Sequence, residues 1–182
     1  MKIAIYCSSR EDIDPQYIKS AEKIGAWIGS HAATMIYGGM NFGLMKVAAT
    51  AVKSNGGRVV GVVPVTRKLD SSALNDETII ATDLNDRKAK IIMFSDVFVV
   101  LPGGYGSLDE FIATFASLSF VGNQSKTIIL LNQNGLYDPT LQQFRLMIEN
   151  KMMDPTLLQR VNVVATAQEC CEMLELLWLN RK

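Results

Sequence analysis

Short apolar runs alternate along this chain with longer segments in which apolar residues recur every three to four positions. The runs Lys2–Cys7, Thr34–Tyr37, Arg58–Val63, Thr78–Ala81, Asp96–Leu101, Thr127–Leu131 and Val161–Val164 predict strands. Most are continuous and β-branched rather than alternating in and out. That is the pattern of strands buried on both faces in a parallel sheet. The helical period predicts helices over Pro15–Ser30, Leu44–Ser54, Asn85–Phe94, Ser107–Phe120, Pro139–Asn150 and Ala167–Leu179. Strands alternating with helices imply an α/β fold, a doubly wound and mostly parallel sheet flanked by helices on both faces. No repeat, low-complexity stretch or linker divides the chain, so residues 1–182 read as a single domain.

In such sheets ligands bind beyond the carboxyl ends of the strands. Three of those ends are small or glycine-rich: Cys7-Ser8-Ser9-Arg10, Tyr37-Gly38-Gly39-Met40-Asn41-Phe42-Gly43 and Leu101-Pro102-Gly103-Gly104-Tyr105-Gly106-Ser107. Each precedes a helix. A glycine turn at a helix start exposes N–H groups where the helix dipole is positive, and phosphate is the natural ligand. One such turn could be only a tight connection. Three on one edge of one sheet point to a phosphorylated ligand. No Gly-Lys-Ser/Thr follows either glycine loop, and neither matches G-x-G-x-x-G, which argues against ATPases and ordinary NAD enzymes.

The segment Ser107-Leu108-Asp109-Glu110 admits two readings. Ser-x-x-Glu at a helix start is a capping box. Two acids beside a phosphate cradle would repel the anion, so Glu110 also reads as a group aimed at the sugar or at a nearby water. Arg87 and Lys88 open the predicted helix Asn85–Phe94. They form either a solvated first turn or, because cations oppose the dipole there, a site for a bound anion. His31, the only histidine, falls at the end of the first helix, and no His-rich metal set can be assembled around it.

Composition narrows the partners. Lys plus Arg equals Asp plus Glu, at 18 each in 182 residues. With no net positive field, nucleic acid is not expected as the main partner. No run approaches the roughly 20 apolar residues of a membrane span. Cys7, Cys170 and Cys171 lack zinc-ligand spacing and read as reduced thiols in a cytoplasmic protein.

Taken together, Tyr37-Gly38-Gly39…Gly43-Leu44-Met45, Arg87-Lys88-Ala89 and Pro102-Gly103-Gly104-Tyr105-Gly106-Ser107…Glu110 resemble the LOG (Lonely guy) family. Its members are cytokinin riboside 5′-monophosphate phosphoribohydrolases, a group also labelled "possible lysine decarboxylase". The resemblance runs in order from Lys2 to about Leu174. It implies a modified Rossmann, nucleotide-binding fold, a homodimer or larger assembly, and an AMP-type nucleotide substrate. It also implies hydrolysis of the N-glycosidic bond to free base and ribose 5-phosphate, with no cofactor and no metal. By position, Arg87 and Glu110 would be catalytic. Lys88 and Gly103, Gly104, Tyr105, Gly106 and Ser107 would bind the nucleotide, together with Ser8, Gly38 and Gly39. The chain departs from the family at Met40 and Lys46, where glycines are usual, and at Ser117-Leu118-Ser119-Phe120-Val121-Gly122-Asn123, on the base and dimer side. The retained chemistry implies an oxocarbenium-like transition state, with Glu110 activating water and Arg87 stabilising charge on the leaving base or orienting the ribose phosphate. The competing classes are a non-catalytic nucleotide sensor, which needs the glycine loops but neither Arg87 nor Glu110, and a pyridoxal-phosphate decarboxylase, for which the chain offers no recognisable lysine.

Overall fold

The computed structural model describes residues 1–121 and 126–180, without the side chain of residue 121. Seven strands form one sheet: β1 (Lys2–Tyr6), β2 (Thr34–Tyr37), β3 (Arg58–Pro64), β4 (Glu77–Ala81), β5 (Val97–Val100), β6 (Thr127–Leu131) and β7 (Val161–Val164). Their order is β4-β3-β2-β1-β5-β6-β7. Every strand pairing is parallel, so the mostly parallel expectation becomes a wholly parallel sheet. A single antiparallel bridge, Met40 to Ser71, lies outside the strands.

The helices are α1 (Pro15–Ser30), α2 (Gly43–Ser54), α3 (Leu84–Phe94), α4 (Tyr105–Val121), α5 (Asp138–Glu149) and α6 (Ala167–Leu179). α1, α2 and α6 cover one face, over Ile3, Ile5, Met35, Val59, Val97, Val99 and Ile129. α3, α4 and α5 cover the other, over Ala4, Tyr6, Ile36, Val62, Phe98, Val100 and Ile128. Successive strand residues thus enter opposite cores, which is why the strand sequences are apolar throughout.

Chain direction reverses between β1 and β5. From β1 the chain winds outward to β4, then α3 carries it back beneath the sheet to β5. Beyond the ends of β1 and β5, at such a reversal, folds of this kind form the crevice that holds ligands. The helix starts facing it are set locally. Asp83 caps α3 by accepting from the N–H groups of Asn85 and Asp86 at 2.8 and 2.9 Å. Such a cap contributes about 1 kcal/mol and fixes where the helix begins. Short 3₁₀ turns at Val65–Asp70, Gln133–Gly135 and Pro155–Arg160 complete the connections and were not expected.

Candidate active site

Three loops converge on the crevice and are tied together through their backbones. The Ser8 N–H donates to the Pro102 carbonyl at 3.2 Å, joining the ends of β1 and β5. The Leu44 N–H donates to the Ser8 carbonyl at 2.9 Å, bringing in the start of α2. The Gly39 carbonyl accepts from the Ser72 N–H at 2.7 Å and from the Asn75 amide at 3.3 Å. Asn75 also accepts from the Tyr37 hydroxyl at 2.8 Å. The Tyr137 hydroxyl, at the foot of α5, donates to the Leu101 carbonyl at 2.8 Å. Sequence reasoning missed Asn75, Ser72 and Tyr137. Each lies in a connection of ordinary composition, and nothing in the sequence marks its long-range partner.

The glycines of the third loop divide into two kinds. A methyl group on Gly103 would lie 2.1 Å from the Ser107 hydroxyl oxygen and 3.1 Å from the Ser8 nitrogen, so the fold itself requires glycine there. Gly104 and Gly106 would meet nothing within 4 Å and have ordinary backbone angles. No contact inside the protein demands glycine at either position. Both leave the backbone at the start of α4 open to close approach from outside. Tyr105, between them, is 93% exposed.

Ser107 is the third residue of α4, not the residue preceding it. The capping-box reading of Ser107 and Glu110 therefore fails, because the helix starts two residues earlier than the spacing implied. Ser107 is buried against Gly103 instead. Glu110 reaches Arg87, with the guanidinium Nη2 3.1 Å from Oε1. The side chains are only 12% and 18% exposed. Arg87 also donates through Nε to the Val62 carbonyl at the end of β3, at 3.1 Å. Its Nη2 lies 2.1 Å from where a Gly38 methyl would be, so Gly38 is the floor on which the guanidinium rests.

Lys88 takes a different direction. Its ammonium bonds both oxygens of Asp109, at 2.9 and 2.8 Å. The solvated-turn reading fails for Arg87, and no bound anion is needed to account for either cation: two carboxylates of α4 answer them. Lys88 and Asp109 lie beside the groove between α3 and α4, which Ile92, Met93, Ala113 and Leu118 line.

Burial dominates the electrostatics of Glu110. Desolvation pushes its carboxyl up to about 7, Arg87 opposes the shift, Asp109 adds to it and Lys88 opposes it. The net rise means that the missing water outweighs the guanidinium. The Cys7 thiol, buried beneath, is likewise raised far above the ordinary thiol range by burial. An acid poised near neutrality in a crevice can exchange protons at physiological pH, which an ordinary surface glutamate does poorly. His31 stands apart at the end of α1, its Nε2 2.9 Å from Glu175 on α6.

The fold and the crevice define a Rossmann-like α/β protein with a poised acid beside an open glycine loop. The family model described as "possible lysine decarboxylase" matches residues 45–174. Among similar curated proteins, the cytokinin riboside 5′-monophosphate phosphoribohydrolase LOG3 of Arabidopsis thaliana is 32% identical over 179 residues, spanning 96% of this chain and 81% of the relative. LOG of Oryza sativa subsp. japonica is 33% identical over 145 residues, spanning 77% and 58%. The chain belongs to this LOG, or possible lysine decarboxylase, family. Among solved structures, the molybdenum cofactor carrier protein of Chlamydomonas reinhardtii superposes with a TM-score of 0.75 at 20% identity, covering 98% of each chain. The molybdenum cofactor binding protein of Rippkaea orientalis gives 0.71 at 23% identity, covering 96% of this chain and 94% of that one. At these identities the likeness concerns the fold.

Two predictions follow from the geometry. Gly106→Ala keeps or slightly raises thermal stability, since helical alanine is better than glycine by about 0.5–1 kcal/mol. Gly103→Ala, by contrast, lowers the melting temperature, with both variants read by calorimetry. The second concerns Glu110. An acid raised on folding favours the folded state at low pH, and that contribution is lost as pH rises from about 4.5 toward 7. Glu110→Gln, which keeps an acceptor for Arg87, therefore stabilises the protein at pH 8 by on the order of 2 kcal/mol and much less at pH 5, read from denaturant melts.

Proposed function

We propose that this protein hydrolyses the N-glycosidic bond of a nucleoside 5′-monophosphate, AMP or a cytokinin riboside 5′-monophosphate, releasing free base and ribose 5-phosphate. The observation that carries this reading is the buried Arg87–Glu110 pair, set beside a loop whose Gly104 and Gly106 leave the start of α4 open. Family membership supports the same reaction class.

Cleavage passes through an oxocarbenium-like state at the anomeric carbon. In this reading the 5′-phosphate lies on Gly103, Gly104, Gly106 and Ser107, with Ser8, Gly38 and Gly39 walling the crevice. That places the ribose toward Glu110. The ionised carboxylate takes a proton from the attacking water and faces the positive charge developing on the sugar. Arg87 holds the carboxylate in place and, as a permanent cation, favours negative charge developing on the leaving base, which takes its proton from solvent as it departs while Glu110 later returns its own to water. A guanidinium releases its proton too reluctantly to act as the general acid. Remote binding of the phosphate supplies the orientation. Lys88, engaged by Asp109, contributes charge at longer range.

The reading includes a second copy of the chain. Along α4 the outward positions carry Tyr105, Ile112 and Phe120, 93%, 37% and 94% exposed, and α3 adds Met93 at 62%. This apolar stripe begins at the glycine loop, so a partner seated on it also borders the crevice. Of the segment that departs from the family pattern, Ser117–Phe120 form the last described turn of α4 with Val121, while Gly122 and Asn123 lie outside the described residues. The three buried free thiols suit a cytoplasmic setting.

Incubation with AMP and chromatographic detection of adenine tests the reaction. The wild type releases adenine, and the rate climbs as pH rises through about 7, because Glu110 must be ionised to act as base. Glu110→Gln retains AMP binding and loses roughly 10²–10⁴-fold in rate. Tight AMP binding without adenine from the wild type would overturn the hydrolase reading in favour of a nucleotide sensor. For the assembly, light scattering gives the mass of at least two chains for the wild type and of one chain for Ile112→Asp/Phe120→Asp. A monomeric wild type refutes the paired stripe.

A further inference from the structure

Glu110 has a neighbour of a different kind. Thr114 stands four residues further along α4 and is fully buried. A spacing of four places it on the same helix face as Glu110. Its hydroxyl lies 2.8 Å from the hydroxyl of Tyr6, the last residue of β1, which is itself 2% exposed. The Tyr6 ring is stacked on Phe98 of β5, which fixes its position.

Two hydroxyls sharing one hydrogen bond have a hydrogen left over. If Tyr6 donates, the Thr114 hydrogen is unused, and if Thr114 donates, the Tyr6 hydrogen is unused. A helical threonine often spends that hydrogen on the carbonyl four residues back, here that of Glu110. Ser119 makes such a bond to Phe115 at 2.7 Å. Among the described residues, the Thr114 hydroxyl has the Tyr6 hydroxyl as its partner and makes no such bond to the Glu110 carbonyl. A dry core position normally favours Phe and Val, since an unspent buried donor costs stability. The pair therefore has a use other than packing.

We propose that the Tyr6–Thr114 hydroxyl pair is a positioning and tuning device for Glu110, anchoring α4 to the end of β1 and turning its spare O–H dipole toward the carboxylate so that the ionised form is favoured. The proposal rests on Glu110 being the base of the reaction proposed above. The charged and titratable groups facing Glu110 are Arg87 and Lys88 from α3, Asp109 on its own helix, and Tyr6 and Cys7 from β1. Arg87 and Lys88 favour the ionised form, Asp109 disfavours it, and both β1 groups stay neutral because burial raises them beyond the physiological range. The hydroxyl pair, held by Thr114 one helical turn from Glu110, is an adjustable dipole with no net charge of its own. It can reverse its donor without moving a heavy atom as Glu110 gains or loses its proton.

The test compares Tyr6→Phe/Thr114→Val, which removes both hydroxyls and leaves no orphan, with Thr114→Ser, which keeps both. If adenine release is measured from pH 5.5 to 9, the double variant shifts the rising limb upward by about 0.5–1 pH unit, a three- to tenfold loss at pH 6. Near pH 9 it stays within twofold of wild type, and KM is unchanged. Thr114→Ser follows the wild-type profile. Carboxyl-carbon NMR titration of Glu110, identified by its absence in Glu110→Gln, reads the same shift without substrate. It therefore tests this inference even if the protein releases no base. An unchanged Glu110 titration in a folded double variant overturns the proposal, and so does a uniform loss of rate at every pH.

Discussion

The tie between Arg87 and Glu110 is the constraint around which the crevice is arranged. Arg87 stands in the first turn of α3, which belongs to the half of the chain that winds out to β4. Glu110 stands on α4, which follows the return to the middle of the sheet. Their contact at 3.1 Å, with the Arg87 bond to the Val62 carbonyl, joins β3, α3 and α4 at the point where the winding reverses. As a source of stability the pair is poor, since a buried ion pair seldom recovers the hydration it loses. Burial raises the Glu110 carboxyl despite the guanidinium beside it, in the direction such a deficit requires. The surrounding apolar core must offset it: Ile91, one turn along α3 from Arg87, and Phe111, next after Glu110, are buried in it, as is Phe115.

The glycine pattern follows from that tie. Gly38 lacks a side chain because the guanidinium occupies the space, and Gly103 because Ser107 does. These two serve the fold of the site. A Cβ at Gly104 or Gly106 would meet nothing inside the chain, and in the proposed reading these two mark the side from which the nucleotide approaches. A glycine-rich loop in a sequence therefore mixes two functions, and only the space around each Cβ separates them. The close stitching of Ser8 to Pro102 and of Leu44 to Ser8 then holds the loops at fixed spacing, which is what the proposed phosphate seat would need to orient the rest of a substrate.

Most of the fold was legible in the sequence because the sheet is buried on both faces. Continuous β-branched runs such as Ile128-Ile129-Leu130-Leu131 have few other homes. The bounds of α1 and α6 could be read to the residue, since Pro15 after Asp14 and Thr166 before Ala167 are strong start signals. The start of α4 could not. Ser107 resembles a cap, yet Tyr105-Gly106 already opens the helix, and helix propensity argues against a glycine there. The site was legible as a set of residues but not as a set of contacts. Arg87 and Lys88 look equivalent in sequence, and only the packing of α3 on α4 sends one to Glu110 and the other to Asp109. Tyr6 and Thr114 read as core residues, which they are, and their hydroxyls matter only because the sheet register brings them together.

The placement of the acid bears on whether the protein binds or cuts. A protein that only held a nucleotide would gain from a neutral acceptor opposite Arg87. Glutamine fills that role without losing hydration and without repelling a phosphate. Glutamate in the same place carries a desolvation penalty and a negative charge beside the proposed phosphate seat. Both costs are recovered only if the group changes its protonation during the work it does. Arg87 acts against burial to keep that change within reach of neutral pH, and in the proposal above the Tyr6–Thr114 hydroxyl pair adds to it. The arrangement thus sets the carboxylate between two states instead of securing either one, which is what proton transfer needs and what simple binding does not.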